Sequence, residues 1–147
     1  MRATPLLTAL LLAYAGACHA ALGGAPEDFG TANTTVAAYA TVAGANYRLR
    51  ETVLDTGTRV NEYVSAAGVV FALTWEGPIL PDLKALLGKY FDAMVAESAS
   101  APRAGRARLG VNSPEVVINS GGRMRAFEGS AWLPAQLPAG FTPNDLR

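Results

Sequence analysis

The apolar residues of this chain change their repeat once, and that change decides the fold class. In three stretches, 47–53, 59–64 and 69–75, they recur wholly or partly at every second position. From Leu83 onward they recur at the third and fourth position, through Leu86, Leu87, Tyr90, Phe91, Met94 and Val95. A period of two marks a strand with one buried face, and a period near 3.6 marks a helix with one buried stripe. The order predicts three strands and then a helix. The connections Asp55-Thr56-Gly57-Thr58 and Ala66-Ala67-Gly68 are short turn clusters, which makes the meander antiparallel.

In the third strand Val69, Phe71, Leu73 and Trp75 share a face, opposite the lighter Val70, Ala72 and Thr74. The helix is expected on the heavier face. It opens at Pro81-Asp82, where a proline and an acid suit the first turn. Gly88 costs it about 1 kcal/mol relative to alanine. Residues 98–113 have loop composition. Residues 115–119 and 123–127 flank Ser120-Gly121-Gly122 and read as a hairpin with a glycine turn. The whole is an α+β domain, β-β-β-α-β-β: an antiparallel sheet of about five strands with one helix across one face.

Four segments follow from this pattern: an export signal at 1–20, a flexible lead-in at 21–45, the α+β domain at 46–133, and an extended segment at 134–147 holding Pro134, Pro138 and Pro143. The lead-in is rich in Ala, Gly and Thr and has little apolar mass to offset the entropy of ordering it. Leu22 and Phe29 are its anchors to the body.

The first 20 residues carry Arg2, an apolar run from Leu6 to Ala13, and small residues up to Ala20. This is the layout of a secretory signal. The run is too short to span a bilayer, which takes roughly 20 residues, and no second run follows. The expectation is an exported protein, periplasmic or secreted in a Gram-negative bacterium, with no transmembrane span after cleavage. Lipidation at Cys18 is the competing route; it needs a branched apolar residue where Ala15 stands. Cys18 and His19 are the only cysteine and histidine. A cut after Ala20 removes both, and with them the thiol nucleophile, the usual general base and the commonest metal ligands. No catalytic residue, metal or cofactor is assigned. Twelve basic and twelve acidic residues balance, which argues against nucleic acid as a partner.

Three groups of residues are candidate sites. Trp75, Glu76 and Asp82 gather around the strand-to-helix connection, where two carboxylates would share acid–base work; the plainer assignment makes Trp75 core, Glu76 solvated and Asp82 a cap. Glu51 and Glu62 lie on adjacent strands, with Arg48, Arg50 and Arg59 near enough for ordinary cross-strand pairs. Arg123 and Arg125 project from one strand, and with Arg103, Arg106 and Arg108 in the preceding loop they make a basic patch or a solubilising face. Ser65, Ser98, Ser113 and Ser130 have no histidine to activate them. The segment with Trp132, Leu133, Leu137 and Phe141 is either an exposed interaction surface or a tail packed on the lighter sheet face.

Several words stand in this order: Arg50-Glu51-Thr52, Glu62-Tyr63-Val64, Val70-Phe71-Ala72-Leu73-Thr74-Trp75-Glu76-Gly77-Pro78, Pro81-Asp82-Leu83, Leu86-Leu87-Gly88, Ser120-Gly121-Gly122 and Leu137-Pro138-Ala139-Gly140. Together they resemble an exported proteobacterial family known only as a domain of unknown function, family 2844, over nearly all of residues 18–147. The resemblance implies an exported single-domain protein of Burkholderia-like bacteria and carries no activity and no functional residue. Two functional expectations remain. One is a small non-enzymatic binding or accessory protein of the cell envelope, with an envelope protein partner or a ligand held by Trp75, Glu76, Asp82, Arg123, Arg125 or Trp132. The other is a carboxylate-dependent hydrolase built on Trp75, Glu76 and Asp82.

Overall fold

The two short connections of the meander close as their composition dictates. Gly57 and Gly68 have φ of 82° and 81°, a region that residues with a Cβ rarely enter. Their amides donate back to the carbonyls of Leu54 and Ser65, at 2.8 and 2.9 Å. These turns join β2 (Ala45–Val53), β3 (Arg59–Ser65) and β4 (Val70–Gly77). The computed structural model describes residues 22–30, 33–42, 45–100 and 108–146. The expected export signal, Arg103 and Arg106 lie outside the described residues.

The remaining strands are β1 (Asn33–Val42), β5 (Leu109–Asn112), β6 (Val117–Arg123) and β7 (Ala126–Trp132). One sheet of seven strands results, in the order β1-β2-β3-β4-β7-β6-β5, and every pairing is antiparallel. The α+β class stands. Two strands exceed the expected count. β1 lies within the stretch read as a flexible lead-in: its Thr, Val and Tyr content favours extended backbone, and pairing with β2 orders it. β5 lies within the stretch read as a loop, and only four residues form it.

The expected single helix is broken. Asp82 caps α1 (Leu83–Leu87) by accepting from the amides of Lys84 and Ala85, at 3.0 and 3.1 Å. Gly88, at φ 52°, begins a 3₁₀ turn over Gly88–Tyr90, and α2 (Phe91–Ser100) follows. Leu83, Leu86, Leu87 and Met94 are buried, whereas Val95 is 48 % exposed, so the buried stripe ends at Met94, one residue before its spacing suggested.

A β-bulge corrects the expected faces of β4. Val64 pairs with Val70 and Tyr63 with Ala72, which leaves Phe71 as the extra residue. A bulge shifts the alternation by one. Val70, Leu73 and Trp75 therefore join Leu83, Leu86, Leu87, Ile118 and Leu133 on the inner, helix-covered face. Phe71 and Ala72 join Tyr47, Tyr63 and Phe141 on the outer face. The C-terminal segment is the cover there: Phe141 is 5 % exposed, and 3₁₀ turns at Pro134–Gln136 and Pro143–Asp145 shape its path. Leu133 and Phe141 thus belong to the two cores and not to an exposed apolar surface.

Residues 22–30 are tied to the inner face. Leu22 is buried and its amide donates to the Leu86 carbonyl at 2.9 Å, while Gly23 and Gly24 bond Val70 on both sides at 2.8 Å. Glu62, buried on β3, accepts from the Glu27 amide at 2.8 Å and pairs with Arg50 at 3.2 Å. Arg50 in turn donates to the Glu27 carbonyl. Burial pushes the Glu62 carboxyl above its ordinary value of 4.5, against the pull of the Glu27 amide and the Arg50 charge. A raised folded-state value means that the contribution of Glu62 to stability is fully present below about 4.5 and is lost as pH rises through the raised value. Urea unfolding of the native protein and Glu62→Gln should show the native protein losing stability relative to the variant between pH 4 and pH 8. A constant difference over that range contradicts this.

Candidate functional site

Antiparallel register places the outer-face residues in rows across five strands. The first row is apolar: Leu49, Tyr63, Ala72, Trp132 and Val117. The second is polar: Glu51, Asn61, Thr74, Ser130 and Asn119. The third holds Val53, Arg59, Glu76, Glu128 and Gly121. Read along β3, β4 and β7, each outer face passes from an apolar to a neutral polar to a charged side chain. The C-terminal segment covers the apolar row. The second row and much of the third form an open groove of about 840 Å³, lined also by Trp132 and by Pro143, Asn144 and Leu146 of the C-terminal segment.

The floor of this groove is unusual for a sheet face. Asn61 and Thr74 are 8 % and 9 % exposed, where valine or leucine would fill the same space at no polar cost. The rim away from the C-terminal segment carries charge. Arg59 Nε lies 3.4 Å from Glu51 Oε2, and Arg108 Nη2 lies 3.0 Å from Glu128 Oε1. Glu76 stands directly opposite both Arg59 and Glu128. Opposed carboxylates repel; an arginine at each end of this row offsets that. Pairs this exposed contribute at most about 1 kcal/mol each to stability, so the groups stay available to a ligand.

The candidate residues separate. Glu76 lines the groove, whereas Asp82 caps α1, so they do not form an acid–base pair around Trp75. Trp75 is 2 % exposed in the inner core, with its ring against Gly129, whose missing Cβ makes the space. Glu51 and Glu62 do not face each other: Arg50 pairs with Glu62 and Glu51 with Asn61, so Glu51 enters the groove and Glu62 the inner face. The arginine alternatives account for both, through Arg59 and Arg50.

Arg123 ends β6 and pairs with Ala126, so the hairpin turn is Met124-Arg125 and not Ser120-Gly121-Gly122. Those glycines sit inside β6, because register with β7 sets Gly122 opposite Phe127. Arg125, at φ 66°, is therefore a turn residue instead of a strand partner of Arg123. Arg108 reaches across Gly121 to Glu128, on a rim of mixed charge. Trp132 is half-buried, packed against the outer aromatic cluster and open to the groove. Asn61, Thr74, Asn119 and Glu128 did not stand out in the sequence, and Ser130 stood out only as a nucleophile without a base. The signal that finds them is the i, i+2, i+4 gradient along each strand.

Among the described residues, no group of three or more histidine, cysteine, aspartate or glutamate residues could hold a metal ion, and no helix is long and apolar enough to cross a membrane. Fold and groove together define a small α+β protein with an open, polar sheet face. The chain belongs to the family described as Protein of unknown function (DUF2844), whose model matches residues 18–146. Neither a curated protein nor a solved structure matches it.

Proposed function

We propose that this protein is a non-enzymatic binding module of the bacterial cell envelope, exported by the signal at 1–20, with the outer-face groove as its ligand site. One observation carries the reading: neutral polar side chains of four adjacent strands align in one row on the floor of an open groove, with Trp132 and the C-terminal segment along one side and a charged row holding two ion pairs along the other. A face kept polar at positions that could close the core is suited to holding a ligand. Export rests on the Arg2, apolar-run and small-residue order.

The test is a titration of ¹⁵N-labelled protein with envelope extract divided into small-molecule, glycan and protein fractions. The expected result is that one fraction shifts the amides of Thr74, Ser130 and Asn119 and leaves Leu86 and Met94 unmoved. Shifts confined to the helical face, or none from any fraction, contradict the reading.

A carboxylate hydrolase is the second reading, and one observation favours it: Glu76 and Glu128 are directly opposed in the groove. Binding is preferred because Glu128 is engaged by Arg108 and more than half exposed, whereas a general acid needs a sheltered site. Turnover of a bound ligand, abolished by Glu76→Gln or Glu128→Gln, would reverse that preference.

A further inference from the structure

We infer that the groove takes a neutral, hydroxyl-rich oligosaccharide laid across the strands, about one sugar ring per strand. The inference rests on the groove being the ligand site and adds the ligand class. Three properties of the groove carry it.

The first is charge. Three carboxylates, Glu51, Glu76 and Glu128, meet two arginines, Arg59 and Arg108; each arginine is paired with an acid, so the lining holds one carboxylate more than it has arginines. A polyanion such as nucleic acid needs an excess of unpaired cations, which this lining lacks, and a polycation would find a single surplus carboxylate beside two that arginines already engage. The ion pairs instead present fixed donors and acceptors side by side, which matches a ligand whose every hydroxyl both donates and accepts.

The second is spacing. Neighbouring strands lie about 4.8 Å apart, so the row from Glu51 to Asn119 spans about 19 Å over its four intervals. That interval is close to the advance of one pyranose ring along an extended glycan. Rings would meet Ser130 and Asn119 most directly, and would pass over the nearly buried Asn61 and Thr74 of the floor. An extended polypeptide has no such match here: it binds sheets by adding to an edge, where main-chain groups are free, and this groove lies on a face.

The third is Trp132, half-buried at the boundary between the aromatic cluster and the polar row. An indole held by packing on one side offers an apolar plate with a polar edge, suited to the C–H face of a sugar ring.

The experiment is calorimetric titration of the whole protein with defined neutral tetrasaccharides: β-1,4-linked glucose, xylose and N-acetylglucosamine, and α-1,4-linked glucose. Tetragalacturonate is the anionic control. At least one neutral tetrasaccharide should bind, and the anionic one should not. Asn119→Ala should weaken binding about tenfold, the effect of losing one well-placed hydrogen bond, and Ser130→Trp should abolish it by filling the groove. Met124→Ser, in the exposed turn, should leave it unchanged. Asn119 is exposed, so its truncation tests binding without threatening the fold. Absence of binding by every neutral tetrasaccharide at millimolar concentration, or binding indifferent to both groove substitutions, overturns the inference. If an envelope fraction still shifts Thr74, Ser130 and Asn119 in that case, the groove stands as a site and only the ligand class falls.

Discussion

Replacing Phe141 by alanine is expected to lower the unfolding free energy by about 3–5 kcal/mol and to free the C-terminal segment from the sheet. Among the described residues of that segment, Phe141 alone belongs to the buried outer cluster, at 5 % exposure. Its ring centroid lies 5.0 Å from Phe71, 5.2 Å from Tyr47 and 5.7 Å from Tyr63, all close to edge-on. Such pairs add about 0.5–1.5 kcal/mol each beyond the area they bury. Truncation therefore removes three ring contacts as well as apolar burial, in a fold whose total stability is of order 5–15 kcal/mol. Two readouts check it. The urea midpoint should fall, and brief proteolysis should cut beyond Leu137 in the variant but not in the native protein. Because Pro143, Asn144 and Leu146 line the groove, ligand binding should weaken with them. A variant as stable and as protease-resistant as the native chain would mean that the segment does not hold the outer face.

Gly129→Ala tests the inner face in the opposite sense, by adding one atom. A Cβ at Gly129 would overlap the Trp75 ring and approach the Asn119 carbonyl oxygen to 2.6 Å. Trp75 is 2 % exposed and sits among Val60, Leu73 and Ile118, so the ring has nowhere to move without displacing the core. Overpacking of this kind costs about 1–3 kcal/mol, and here backbone and indole both resist. A fall in thermal midpoint with a change in tryptophan emission is expected. Unchanged stability would mean that the ring does not lie on Gly129.

Much of the fold was legible because β3 and β4 alternate and because Leu83 to Met94 follow a helical stripe. The parts that were not legible are those that pairing decides. Nothing local to Phe71 announces a bulge; it arises where β3 and β4 meet, and it sends Phe71 to the face that Phe141 covers. Gly121-Gly122 has turn composition, yet register with β7 carries the strand through it to Met124-Arg125. β1 has strand propensity without much apolar mass, so only its neighbour reveals it. The site was legible as residues and illegible as a site. Asn61, Thr74, Ser130 and Asn119 are ordinary polar residues until four strands bring them into one row. Glu76 was singled out, but register gives it Glu128 as a partner and not Asp82.

The C-terminal segment covers the apolar half of the outer face and leaves the polar groove beside it to ligand. Cysteine placement tests it most directly, in a Cys18→Ser background that is otherwise free of thiols. Single cysteines go in at Asn119, Ser130 and Ala72, and their rates with a thiol reagent are compared with and without the tetrasaccharide that binds. Reaction should be fast at Asn119→Cys and Ser130→Cys and slowed by the sugar, and Ala72→Cys should stay protected until the protein unfolds. Protected cysteines at 119 and 130 with a reactive one at 72 would contradict it.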